Sequence, residues 1–516
     1  MRILKFVDLN DKPLGVIAWF SVHPTSLSSS NKLISGDNKG YASYLFERNV
    51  NMKLYKDYQP GKNKFIASFP EAPSGDSSAN TRGAFCPNGD RCDFKAHCNG
   101  KAFKCIGRGP TDNRLKNLEI IGKKQYKKAL ELFNSASIEL SGSIDFAHNF
   151  IKLSSLKIKR EYMPKRKNGG LCVPAFGPSF FGGTSDGVSG VNAIQGKQKV
   201  PFFIKLFTKL ISNPKKSQKK CQKPKKSVLN VNLKKPYQWI PTYTPIQIFK
   251  IGQIFIISVS TELTTMAARR LSKNLKKTLK RHNLIKEDGK LILNTVANGY
   301  THYTTTPEEY TAFRYEGSST LFGQYQLNAF HQEFDNLIDL MVQNKSPIVQ
   351  SHQLQKESKN LRKFSMHTGF KKIRNTMNKI FSKFRKIGRK FGKMKRHPKR
   401  NYKHGETVNI KFYGNKLQSG FEKFSTLMKV EKQIGKHNWK TIKTDAHIET
   451  KIYEQKKFGK YTITVLWKIT SDISPGIYRI TYFGSYNKKS YRSVSDEFRV
   501  ISKKRYFEMA LEFGLN

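Results

Sequence analysis

Apolar and polar positions alternate, run together or recur at helical spacing in well-separated blocks along the chain. Gly15 to His23, GVIAWFSVH, alternates and then runs apolar, which predicts a buried strand ending at His23. Phe65 to Phe69 is a second short apolar run that stops at Pro70 and opens into the polar segment GDSSANTRG. In Leu118 to Phe133, LEIIGKKQYKKALELF, apolar residues fall at helical spacing with lysines on the opposite face, so an amphipathic helix is predicted. Ile246 to Val259 is the strongest strand signal, and it hands over at Thr261 and Glu262 to the helical run LTTMAARRLSKNLKKTLKR. Leu291 to Val296 predicts a further strand leading into the loop NGYTHYTTTPEEY. His23, Glu262 and Tyr303 thus stand at or just after strand ends, where ligand sites of α/β proteins gather.

Past residue 350 the pattern changes. From about 350 to 400 the chain is nearly free of acid and rich in Lys and Arg, and Phe370, Ile373, Met377, Ile380, Phe381, Phe384, Ile387, Phe391 and Met394 form an apolar stripe through it. Such a stripe opposite dense positive charge fits a helix lying on anionic lipid, and equally a helix docked on a neighbouring domain. After Gly405 come short alternating runs separated by Gly, Asn, Asp and Ser, the pattern of an all-β sandwich. The expected organisation is an α/β domain over 1–350, a basic linker with an amphipathic helix over 351–402, and a β-sandwich over 403–505.

Composition narrows this only partly. A chain of 516 residues with 37% hydrophobic content has room for two cores. Its formal net charge of +57 attracts polyanions such as nucleic acid, anionic membrane or acidic glycans, or else reflects a Lys- and Asn-biased genome. No nucleic-acid-binding motif is found, so a specific nucleic-acid partner is not expected. Four of the six cysteines, Cys86, Cys92, Cys98 and Cys105, cluster without CxxC pairs, which favours disulfides in an oxidising compartment over metal; Cys172 and Cys221 stand apart. No run is long enough to span a bilayer, and the first residues have Asp8, Asp11 and Lys12 where a signal peptide would be apolar. Disulfides without an export signal lead to the expectation that the natural N-terminus lies upstream of Met1.

His23, Glu262 and Tyr303 are each a candidate metal ligand, but a zinc site needs donors that converge, and spacing does not show convergence. A resemblance adds what spacing does not. The ordered stretches WFSVHPTSL, SGDNKGYASYLFE, FIASFPEAPSGDSSANTRGAFC, the four-cysteine cluster, LCVPAFGPSFFGGTSDGVSG, TELTTMAARRL and NGYTHYTTTPEEYTAFRYEGSSTLFG resemble those of the neutral ceramidases.

That resemblance implies a zinc-dependent amidase of mixed α/β fold, followed by an immunoglobulin-like β-sandwich, that hydrolyses the N-acyl amide of ceramide to sphingosine and a fatty acid. Zinc would be held by His23, Glu262 and Tyr303, with Ser78, Asp76 and Tyr315 in catalytic positions and Asn80 beside them. Ser78 would act as a nucleophile or position the zinc-bound water, and Tyr315 would donate to the oxyanion. It also implies disulfides Cys86–Cys98, Cys92–Cys105 and Cys172–Cys221. In the segment KTDAHIETKIY it implies a calcium site at Asp445, His447 through its carbonyl, and Thr450. Ceramide and a membrane surface are the implied partners, and secretion or the outer face of the plasma membrane the implied location.

The sequence departs from the family pattern in two places. An HTHSGP-like motif, which carries the family's first zinc histidine, is not found before His23, so the domain is expected to be incomplete at its N-terminus. Ser77 and Ala79 replace the Val and Pro that flank the family's serine. A catalytically impaired relative that binds lipid or anionic membrane is therefore the competing expectation.

Overall fold

In a computed structural model, residues 1–501 are described apart from 29, 32–33, 57, 93–96, 165–168, 233–238, 287–288, 344, 346–390, 416, 418–425, 458–459 and 487–488. The chain divides into two compact units: Met1–Ser28, Gly36–Glu47 and Phe65–Gly369 form one, and Ser29–Ser35, Arg48–Lys64 and Phe370–Asn516 the other.

The first unit is layered. Strands β1 (Arg2–Val7), β2 (Pro13–Trp19) and β3 (Ile66–Ser68) form one sheet, with β1 antiparallel and β3 parallel to β2. Helices α1 (Asp37–Leu54) and α2 (Arg114–Ser135) bring Phe46 and Phe133 against Phe65 in an aromatic cluster beside this sheet. A second sheet has the order β8-β6-β5-β4, built from β4 (Ile144–Ile151), β5 (Thr244–Ile251), β6 (Ile254–Val259), then β7 (Glu262–Leu263) and helix α3 (Thr265–Arg281) off the sheet, and β8 (Lys290–Asn294), which runs parallel to β6.

Because side chains alternate across a strand, β6 serves both faces of this sheet. Ile254 and Ile256 pack with Leu4, Trp19 and Ile292 between the two sheets. Phe255, Ile257 and Val259 face the other way, joining Leu271, Leu275 and Leu279 of α3 and Phe330, Phe334 and Leu337 of helix α4 (Gln326–Val342). Every residue of β6 is buried, Ser258 included, as a strand covered on both faces requires.

One expectation is corrected here. Ile246 to Val259 is not a single strand but a hairpin, in which Ile251 pairs with Ile254 around Gly252 and Gln253. Gly252 has φ +54, and a Cβ there would meet the Ser141 carbonyl oxygen at 2.4 Å, so glycine is required on both counts.

In the second unit, two sheets enclose one core. Four strands, β9 (Met394–Arg396), β11 (Thr407–Gly414), β15 (Lys460–Lys468) and β14 (Thr450–Lys457), form one sheet in that order. The six-stranded sheet comprises β10 (Asn401–Lys403), β12 (Met428–Gln433), β13 (Trp439–Thr444), β16 (Gly476–Tyr486), β17 (Lys489–Val494) and β18 (Phe498–Ile501). Alternate residues Val408, Ile410 and Phe412 of β11 meet Ile463, Val465 and Trp467 of β15 and Tyr478, Ile480 and Tyr482 of β16.

The stretch expected as a linker therefore ends in two strands, and Tyr402 buries its ring against Phe498. Most of the amphipathic stripe expected over Phe370 to Met394 lies outside the described residues. Its last members are not helical: Phe391 meets the ring of Tyr491 at 6.4 Å, and Met394 pairs with Phe412.

Candidate active site

His23 lies four residues beyond the end of β2, and the polypeptide around it is fastened from several sides. Its backbone N–H donates to the Ser77 carbonyl at 3.0 Å, and buried Asn38 donates from Nδ2 to the His23 carbonyl, also at 3.0 Å. Behind it, Lys39 donates to the Phe20 carbonyl at 2.8 Å and pairs with Glu71 at 3.3 Å. These bonds tie the segment carrying His23 to the loop carrying Ser78, so the imidazole is held before any ligand arrives.

The imidazole has two distinct ends. Nδ1 lies 3.0 Å from the Ser77 carbonyl, which accepts only a hydrogen and so places the Nδ1 proton there. Nε2 lies 2.7 Å from Oε2 of Glu262. Burial opposes charge on His23, but the hydrogen bond and charge of Glu262 outweigh it and raise its pKa to about 9. Burial likewise opposes charge on Glu262, and its bonds to His23, Tyr300 and Tyr303 hold its carboxyl below the usual range.

Glu262 and Tyr303 meet because β7 pairs in parallel with β19 (Tyr303–Thr304) in the register Glu262 to Tyr303. Tyr303 is 6% exposed; burial first, and the Glu262 charge second, push its phenol well above the ordinary range. Tyr300 also donates to Glu262, through Oε1. Edge to face with Tyr303 at 5.5 Å is the ring of Tyr315, which stacks on Phe180.

One nitrogen and two oxygens from His23, Glu262 and Tyr303 thus converge. This donor set fits zinc, whose catalytic sites take three protein ligands and leave one position open, and the carbonyl on Nδ1 is the outer support that zinc-bound histidines have.

Ser78 is exposed, one residue beyond the carbonyl that holds His23. Its hydroxyl donates to Oδ2 of Asp186, while its Oγ accepts the Asn80 N–H at 3.0 Å. Asp186 also accepts from Asn80 Nδ2 at 3.0 Å and from Thr184 Oγ1 at 2.8 Å. Burial acts against the ionised form, but bonds from Asn80, Ser78 and Thr184 outweigh it and keep the Asp186 carboxyl below its usual range. Arg114 fixes Asn80 from behind through a 2.9 Å bond to its side-chain oxygen.

Asp76 is engaged elsewhere: its Oδ1 accepts from the backbone N–H of Thr265 at 2.8 Å and its hydroxyl at 2.7 Å, tethering the Ser78 loop to the start of α3. The geometry gives Asp76 a positioning place. Asp186 and Tyr300 were not singled out from the sequence, although both lie in stretches that carry the resemblance, GGTSDGVSG and NGYTHYTTT.

The three disulfides are Cys86–Cys98, Cys92–Cys105 and Cys172–Cys221. Of the groups implied for calcium, Asp445 accepts from the Thr426 hydroxyl and, at 2.9 Å, from the Leu427 N–H. The Thr450 hydroxyl lies 2.6 Å from the Thr444 carbonyl and 2.8 Å from that of His447. Each of the groups implied for calcium is thus engaged in hydrogen bonds within the chain.

Comparison with known proteins bears on the whole chain. The profile described as "Neutral/alkaline non-lysosomal ceramidase, N-terminal" matches residues 1–332, and the corresponding C-terminal profile matches 365–503. The chain belongs to the neutral/alkaline ceramidase family.

Among ceramidases similar to it, neutral ceramidase A of Dictyostelium discoideum is 35% identical over 514 residues, covering 97% of this chain and 69% of that protein. A neutral ceramidase of Oryza sativa is 31% identical over 563 residues, covering 94% and 70%. Two solved ceramidase structures share the fold at 27% identity. A ceramidase complexed with C2 superposes with a TM-score of 0.74 over 97% of this chain and 72% of its own. The neutral ceramidase of Pseudomonas aeruginosa does so at 0.69, over 97% and 70%.

Proposed function

We propose that this chain hydrolyses the N-acyl amide of ceramide to sphingosine and a free fatty acid at a zinc site held by His23, Glu262 and Tyr303. The observation that carries the reading is that His23 bonds Glu262, the register partner of Tyr303, while its other nitrogen bonds the carbonyl of Ser77, the residue before the exposed Ser78. Zinc, when bound, supplies Lewis-acid polarisation of the amide carbonyl and a water of lowered pKa. Ser78 attacks the carbonyl carbon or orients the attacking water, its hydroxyl proton directed to Asp186. Tyr315 keeps its phenol protonated, because burial and the Glu262 charge raise its pKa, and so can donate to the developing oxyanion.

Calcium at Asp445, the His447 carbonyl and Thr450 is proposed as an ion that stabilises the second unit. Three disulfides support an oxidising location, secreted or on the outer face of the plasma membrane. Among the described residues no helix is long and apolar enough to cross a membrane.

Mass spectrometry of chain incubated with zinc and long-chain ceramide tests the reading. Sphingosine and fatty acid are expected in equal amounts, and neither with Ser78→Ala. Intact ceramide after prolonged incubation with the zinc-loaded chain would overturn it.

A further inference from the structure

One helix of the first unit, Phe202–Ser212, turns apolar side chains to solvent. Ile204 and Thr208, four apart, are its buried face, at 8% and 2% exposure. Phe202, Phe203 and Leu206 point outward at 79%, 60% and 49%. Single exposed apolar residues need no explanation, but two adjacent phenylalanines and a leucine on one short helix form a patch.

The charge along the stretch of sequence that carries the patch is one-sided. No acidic residue occurs between Asp186 and Glu262, whereas Lys197, Lys199, Lys205, Lys209, Lys215 and Lys216 are all exposed. A polyanion that met only lysines would have no use for the phenylalanines, and an apolar partner no use for the lysines. Aromatic side chains set among lysines suit an interface with an apolar interior and anionic headgroups.

The helix is also joined to the candidate active site. Gln195, seven positions before Phe202, accepts the Tyr315 N–H at 3.3 Å and donates to the Gly183 carbonyl at 3.0 Å. Gly196 donates to the Phe313 carbonyl at 3.0 Å. On its inner side the helix packs on the strand Leu229–Asn230, which pairs with Ala175–Phe176. Phe176 stacks on Phe180 at 3.6 Å, and Phe180 on Tyr315.

We propose that the helix Phe202–Ser212 seats Phe202, Phe203 and Leu206 in the surface of an anionic bilayer, with the surrounding lysines on its headgroups, and so presents the Tyr315 side of the site to lipid. This rests on the ceramidase reading for its purpose, though not for its test. A substrate with two hydrocarbon chains leaves a bilayer at high cost, and docking beside the site shortens its path through water.

Sedimentation of the full chain with phosphatidylcholine vesicles, with and without phosphatidylserine, tests the docking. Wild type is expected to bind the anionic vesicles more tightly, with binding reduced by salt. F202E/F203E is expected to weaken binding at least ~30-fold, and F202S/F203S, tried in parallel with thermal melts of both, guards against a folding defect. Hydrolysis of vesicle-borne ceramide should fall with binding, while hydrolysis of a short-chain ceramide in solution stays at the wild-type rate.

Unchanged vesicle binding by both folded double variants would overturn the proposal. So would binding abolished by K205E/K209E yet indifferent to the phenylalanine changes, which marks a polyanion site made of lysines alone. A wild type that sediments as expected but hydrolyses neither substrate would sink the ceramidase reading and leave the docking standing.

Discussion

Ser78 donates its hydroxyl hydrogen to Asp186, a residue 108 positions further along the chain, and the two carry a shared bonding set with Asn80 and Thr184. An oxygen whose hydrogen is committed to a carboxylate and which also accepts a backbone N–H has its remaining lone pair fixed in direction. Replacing Asp186 by Ala frees the hydroxyl and leaves Asn80 short of a partner. A fall in kcat of about 10²-fold with little change in KM is expected, measured by steady-state hydrolysis of ceramide. Asp186→Asn should recover part of the loss, because its amide oxygen still accepts. Equal kcat for wild type and Asp186→Ala would remove Asp186 from the site.

Tyr300 donates to Glu262 from outside the set of three proposed ligands. Outer partners of this kind orient a ligand without touching the metal. Tyr300→Phe is expected to weaken zinc binding by about 10–100-fold, and His23→Ala by more. Competition against a chromophoric chelator reads both, without any activity assay.

The disulfides differ in the loops they close. Cys172–Cys221 spans 49 residues and Cys86–Cys98 spans 12. With loop-closure entropy dominant, losing the first costs about 4 kcal/mol and losing the second about 3 kcal/mol. Denaturant unfolding of Cys172→Ser/Cys221→Ser and Cys86→Ser/Cys98→Ser should rank in that order.

Acid should destabilise the second unit through His447. Burial, and then the Lys443 charge, lower its pKa from 6.5 to about 4. A histidine held neutral in the native state binds fewer protons there than when unfolded, so its contribution is intact above pH ~6.5 and is lost as pH falls toward 4. The loss is up to about 3 kcal/mol for a residue this buried. A flatter stability profile between pH 6.5 and 4 is expected for His447→Asn, and an unchanged slope would contradict this origin.

Strand ends made His23, Glu262 and Tyr303 candidates, and it was the family resemblance that singled them out together with Ser78 and Tyr315. Their convergence was not legible, since it depends on the parallel register of Glu262 with Tyr303 and on the Ser77 carbonyl reaching His23. Asp186 stayed hidden for the same reason: nothing in GGTSDGVSG points to a serine more than a hundred residues earlier. The hairpin at Gly252 was missed because hydrophobic periodicity continues through a two-residue turn, and only backbone geometry interrupts it. Residues 29–35 and 48–64, which join the second unit, carry no sequence signal for that membership.

The most direct measurement of the central claim is release of labelled fatty acid from N-acyl-labelled ceramide as zinc is titrated into metal-free chain. Release is predicted to rise with zinc to a plateau for wild type and to stay at background for His23→Ala at the same zinc concentrations. Release that is independent of zinc, or equal in the two proteins, would contradict a zinc-dependent amidase built on His23, Glu262 and Tyr303.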